Sequence, residues 1–122
     1  MENQIEIYQS PEGIQVSVML ESDTVWLNRQ QLSLVFDRDI KTIGKHINNV
    51  FKERELDPNS TVAKFATVQT EGSRAIKRVI EFYNLDVIIS VGYRVNSKRG
   101  TQFRQWATQR LKDYLVKYVI AA

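Results

Sequence analysis

Apolar residues recur at helical spacing through Val25 to Phe51, VWLNRQQLSLVFDRDIKTIGKHINNVF. Leu32, Val35 and Phe36 form one inward set, and Ile40, Ile43, Ile47 and Val50 form a second. Asn28 stands where a first helix, about Arg29 to Phe36, needs an N-cap. Asp39 does the same for a second helix, about Ile40 to Phe51. The pattern predicts two short helices packed through these residues and joined by a tight polar turn. Lys41, Thr42, Lys45 and Asn49 then fall on the outer side of the second helix, which also carries His46. A helix with a cationic, amide-bearing outer face, propped by another helix, is how a helix-turn-helix reads DNA. Solvated helix pairs with the same pattern occur in many other folds. Asp37 occupies the turn, where a glycine would take positive φ more easily. Gly44 interrupts the second helix, costing about 1 kcal/mol relative to alanine. Its position near Ile40 and Ile47 predicts close approach of the two helices.

Before this stretch the period is two. Ile5, Ile7 and Tyr8 begin a short strand, and Pro11-Glu12-Gly13 makes a turn. Ile14, Val16, Val18 and Leu20 alternate with Gln15, Ser17 and Met19, and Val25-Trp26-Leu27 is extended. After it, Glu53 to Ser60 is a polar connector. Val62 to Thr70 and Ala75 to Tyr83 flank Glu71-Gly72-Ser73-Arg74 as a β-hairpin. A hairpin directly after a helix pair is placed as a wing, with Lys64, Arg74, Lys77 and Arg78 as phosphate contacts; it could equally just complete a sheet. Asn84 caps a short apolar helix, Leu85 to Val91, ended by Gly92. Tyr93 to Gly100 reads as a basic linker, its Arg94, Lys98 and Arg99 also facing phosphate. Thr101 caps a long helix to about Val119, with Phe103, Trp106 and Tyr114 as core. The fold expected is α+β: one domain over 1–122, a winged helix-turn-helix with small antiparallel β elements. It divides into strands 5–27, helix-turn-helix 28–51, wing 62–83 and C-terminal helices 85–120.

Composition removes several classes. The chain has 122 residues and no cysteine, so there is no disulfide framework or thiolate metal site. One histidine excludes a histidine metal cluster. No apolar run is long enough to span a membrane, and the N-terminus is no signal peptide, so a soluble cytoplasmic protein is expected. Net charge is +3, but residues 1–37 hold one basic against six acidic residues, and residues 38–122 hold sixteen against eight. Positive charge thus starts near the second helix, as suits a face laid on a polyanion.

The string VAKFATVQTEGSRAIKRVIEFYNLDVIISVGYRVNSKRGTQFRQWATQRLKDYLVK resembles the RhuM family of bacterial virulence-associated proteins. VWLNRQQLSLVFDRDIKTIGKHINNVF is similar to the part that precedes it there. Where this chain has Gly44, serine is more usual in relatives. The last third also resembles the Bro-N and KilA-N domains of phage antirepressors, with an aliphatic helix, a basic linker and an F-R-x-W helix. The resemblance implies a DNA-binding regulatory module of bacterial or mobile-element origin, without a defined biochemical activity. Relatives are usually longer and can be fused to toxin-like enzymatic domains such as Fic.

No enzyme constellation emerges: His46 has no obvious nucleophile, there is no Gly-rich phosphate loop, and Glu53, Glu55 and Asp57 sit in a connector. No cofactor is expected. Two functions follow. The first is sequence-selective binding of double-stranded DNA, with base contacts from Lys41, Thr42, Lys45 and Asn49 and with His46 among the DNA-binding residues. The second is a protein-interaction or oligomerisation adaptor for a fused or separate effector, favoured by exposed apolar surface on the C-terminal helix. Because one recognition helix reads few base pairs, a homodimer through that helix, from Phe103 to Tyr118 and Val119, is expected.

Overall fold

Alternation near the N-terminus builds an antiparallel meander of β1 (Gln4–Gln9), β2 (Gln15–Glu21) and β3 (Thr24–Leu27). This computed structural model describes residues 4–121, with side chains described for residues 4–117. Val16, Val18 and Leu20 turn inward, whereas Ile5 and Ile7 of the edge strand lie on the outer face. β4 (Val62–Glu71) and β5 (Arg74–Asn84) form the hairpin, its two-residue turn using Gly72 at φ 63°. β5 joins β3 through Trp26↔Asn84 and Leu27↔Tyr83, so the sheet runs β1-β2-β3-β5-β4, antiparallel throughout. Only the base of the hairpin is sheet interior. The rest projects as a two-stranded ribbon on which Val68 and Val79 are 70% and 69% exposed.

The helix pair forms as its pattern dictates. α1 (Arg29–Phe36) starts at a reciprocal cap: Asn28 Oδ1 accepts from the Gln31 N–H, and Gln31 Oε1 accepts from the Asn28 N–H, both at 2.8 Å. Asn28→Ala is therefore expected to destabilise the fold by about 1 kcal/mol, measured as a lowered urea midpoint at unchanged slope. Asp37 ends α1 in the left-handed region (φ 51°), which a short polar side chain tolerates better than most. Asp39 then caps α2 (Ile40–Lys52). Leu32, Val35, Phe36, Ile43, Ile47 and Val50 are all buried. Ile40, expected inward, is 47% exposed. It is the first residue of α2, one turn above the Ile43–Ile47–Val50 contact.

Three boundaries differ from expectation. A one-turn helix, α3 (Pro58–Thr61), lies in the connector; Asp57 caps it and proline fills its first position, a start signal present in the sequence. α4 (Leu85–Arg94) does not stop at Gly92, which is helical and buried. α5 (Lys98–Ala121) starts three residues before Thr101, with Ser97 Oγ accepting from the Arg99 N–H at 3.1 Å. The expected linker is thus only Val95–Ser97, turned by Asn96 at φ 51°. Gly92 and Gly100 exist for contact: a Cβ on Gly92 would lie 3.4 Å from Gly100 Cα and 3.1 Å from the Phe36 ring. Phe103, Ala107 and Tyr114 bury the core side of α5, and Tyr8 stacks edge-on against Phe103 and Trp106 at 5.0 and 5.1 Å. Leu115 and Val116 beyond them are exposed, and the side chains of Tyr118 and Val119 lie outside the described residues.

Candidate nucleic-acid interface

α2 places Lys41, Lys45, Asn48 and Lys52 at i, i+4, i+7 and i+11, one stripe on its outer face. The stripe lines an open concavity together with Arg29 and Gly44. Among the described residues, Lys41, Lys45 and Lys52 make no ion pair. An unpaired cationic row beside a side-chain amide can bind phosphate through charge and a base edge through the amide.

The expected site residues on α2 divide. Lys41 and Lys45 are exposed, and the half-buried Asn49 also borders the concavity. Thr42 is engaged in the cap, its hydroxyl donating to Asp39 Oδ2 at 3.1 Å. The Lys41 backbone N–H and that hydroxyl hold the Asp39 carboxyl below its usual pKa, so it stays ionised beside the row. His46 is half-buried on another flank. Burial first, then the charges of Arg94 and Lys45, depress its pKa and favour the neutral ring, a poor partner for phosphate.

Asn48, Lys52 and Arg29 were not foreseen. Asn48 and Lys52 continue the spacing begun by Lys41 and Lys45, so the sequence carried that signal. Arg29 carried none, because its place depends on tertiary packing. From the first turn of α1 its Nε donates to Tyr83 Oη at 3.1 Å and its Nη2 to Asn48 Oδ1 at 3.3 Å. Tyr83 in turn donates to Glu81 Oε2 at 3.1 Å. Gly44 makes room for this: a Cβ there would stand 2.8 Å from Arg29 Nη1. The glycine thus accommodates a guanidinium rather than the close helix–helix approach its position suggested.

On the hairpin, register separates the basic residues. Lys77 faces Val68 across the strands and shares a face with Lys64; Arg74 and Arg78 share the other with Glu71. Arg78 is paired to Glu71 at 2.6 Å, while Arg74 and Lys77 are exposed. The expected linker trio does not sit on a linker. Arg94, in the last turn of α4, bonds Glu53 at 3.2 Å and Glu55 at 3.0 Å, and its side chain is 22% exposed. Glu53 foremost raises its pKa, and a hydrogen bond with Ser90, then one with Arg94, lowers that of Glu55. Arg99, in the first turn of α5, approaches Glu12 at 3.6 Å and Asp37 at 3.9 Å. These arginines tie segments of the fold together: Arg94 through the connector carboxylates Glu53 and Glu55, and Arg99 through Glu12 and Asp37. Lys98 is exposed and makes no ion pair among the described residues.

Among the described residues no group of three or more histidine, cysteine, aspartate or glutamate side chains could hold a metal ion. No helix among them is long and apolar enough to cross a membrane. No curated protein and no solved structure matches the chain. The family model for the virulence protein RhuM family matches residues 60–121, from the end of α3 through the hairpin, α4 and α5, leaving the α1–α2 pair outside the matched segment. That segment is just over half of the 122 residues, and the chain belongs to the virulence protein RhuM family.

Proposed function

We propose that this chain is a DNA-binding regulatory module that presents α2 to the major groove of double-stranded DNA and uses hairpin β4–β5 as a wing. The observation that carries this reading is the unpaired row Lys41, Lys45 and Lys52, interleaved with Asn48, on the exposed side of a helix held by a second helix. The exposed Arg74 and Lys77 on the projecting ribbon support a wing that touches backbone. The module acts without cofactor or catalysis, in the cytoplasm. The test is selection from a random duplex library across a salt series, with sequencing of the bound fraction. Affinity should fall linearly in log salt, and a shared sequence should be enriched. A chain that retains no duplex at low salt ends this reading.

The paired and unpaired cations separate in the same assay. Arg94→Gln and Arg99→Gln should each leave the log–log salt slope as in the wild type while lowering thermal stability. Lys77→Gln should reduce the slope by about 1 if it meets a phosphate.

A second reading, an adaptor or oligomerisation surface for an effector, is favoured by the exposed Leu115 and Val116 beyond the core-packed part of α5. The same residues suit a homodimer. Sedimentation at micromolar protein, with and without duplex, decides between monomer and dimer.

A further inference from the structure

We infer that Arg29, held over Gly44, is the centre of a preformed phosphate subsite at the junction of α2 and the hairpin, for which Lys41 and Lys45 supply further positive charge. The inference rests on the DNA-binding reading and adds a residue from outside the recognition helix.

The guanidinium is fixed before any ligand arrives. Tyr83 Oη takes the Nε–H, Asn48 Oδ1 takes an Nη2–H, and the Arg29 Cζ lies 6.0 Å from the Tyr83 ring centre. No carboxylate pairs with it among the described residues: Glu81 reaches Tyr83 Oη, and Arg29 is in no ion pair. Arg94, Arg99 and Arg78 are all paired to carboxylates, and Arg29 is held instead by a hydroxyl and an amide. Arg29 lines two adjoining concavities. One holds the α2 row, and the other is flanked by Gln30, Ile40, Ile80 and Glu81. A planar fork with two donors engaged and no hydrogen bond from the others among the described residues suits a phosphate oxygen pair, and fixing it in advance lowers the ordering cost of binding. Gly44 leaves room for the arrangement, since a Cβ there would stand 2.8 Å from Nη1 and shift the guanidinium from this position.

The ligand chemistry is a phosphodiester or phosphate dianion, met as DNA backbone or as a free anion. The experiment uses the whole chain with three variants: Arg29→Gln, Arg29→Lys and Gly44→Ala, the last keeping every charge. Duplex affinity is measured across a salt series. The Arg29 Nε–H NMR signal is followed during addition of the duplex and, separately, of inorganic pyrophosphate; thermal unfolding reports the fold. Arg29→Gln should weaken duplex binding about tenfold and lower the salt slope by about 1. Gly44→Ala should weaken it comparably at the same net charge, and Arg29→Lys should not restore wild-type affinity. The wild-type Arg29 signal should shift with duplex, and a saturable shift with pyrophosphate would mark a site that also takes a free anion. Folded variants with wild-type affinity and slope overturn the inference while leaving the DNA-binding reading standing. If the wild type binds no duplex, that reading has failed; a saturable pyrophosphate shift then upholds the subsite for a free anion, and a flat titration overturns it.

Discussion

Phe36→Ala is expected to lower stability by about 3–5 kcal/mol, an effect large for a single substitution. Phe36 is fully buried where three helices meet. Its ring lies against Gly92 of α4 and Gly100 of α5, where the two backbones approach so closely that a Cβ on Gly100 would sit 3.3 Å from Gly92 Cα. Removing the ring loses its transfer free energy and leaves a cavity that helix backbones cannot easily close. Chemical denaturation should show the drop. A double-mutant cycle sharpens it: Gly92→Ala overpacks the wild type at about 1–3 kcal/mol. Much of that cost should vanish beside Phe36→Ala, because the added methyl then enters vacated space. Additive costs would place the strain elsewhere than at the ring.

Simultaneous replacement of Lys41 and Lys45 by alanine is expected to weaken duplex binding by about thirtyfold or more, taking about 1–3 kcal/mol for each lysine that meets DNA. Both are exposed and make no ion pair among the described residues, so stability should change by less than about 0.5 kcal/mol for each. A lysine reading a base edge should also relax the selected sequence when removed; a lysine on phosphate should weaken all sequences equally. A folded double mutant with unchanged affinity and unchanged selected sequence would remove α2 as the reading element.

Local chemistry was legible in advance where residues decide it locally. Asn28, Asp39 and Asn84 cap the helices they were expected to cap. The hairpin and the inward faces of β2, α1 and α2 follow from turn residues and period. What failed to show was tertiary. A glycine after an apolar run reads as punctuation, yet Gly92 is a contact point whose partners lie in α1 and α5. Arginines between helices read as a phosphate-facing linker, yet Arg94 and Arg99 find carboxylates 39 or more residues away in sequence. On the candidate interface, Lys41 and Lys45 were visible from spacing, whereas Arg29 becomes meaningful only once β5 brings Tyr83 beside it.

The core has a consequence for how the family segment should be regarded. Its buried cluster draws Leu20, Leu27, Leu32, Phe36, Ile43 and Ile47 from before residue 60, and Tyr83, Val87, Ile88, Val91 and Phe103 from after it. A polypeptide cut at the start of the matched region would keep a ribbon and two helices whose apolar sides face water, and its β5 would lack the strand that Tyr83 and Asn84 pair with. Such a fragment should be insoluble or molten, and supplying residues 1–59 in trans should rescue it by complementation. The stretch by which kinship is recognised is thus shorter than the unit of cooperative folding, which reaches back to the first strand.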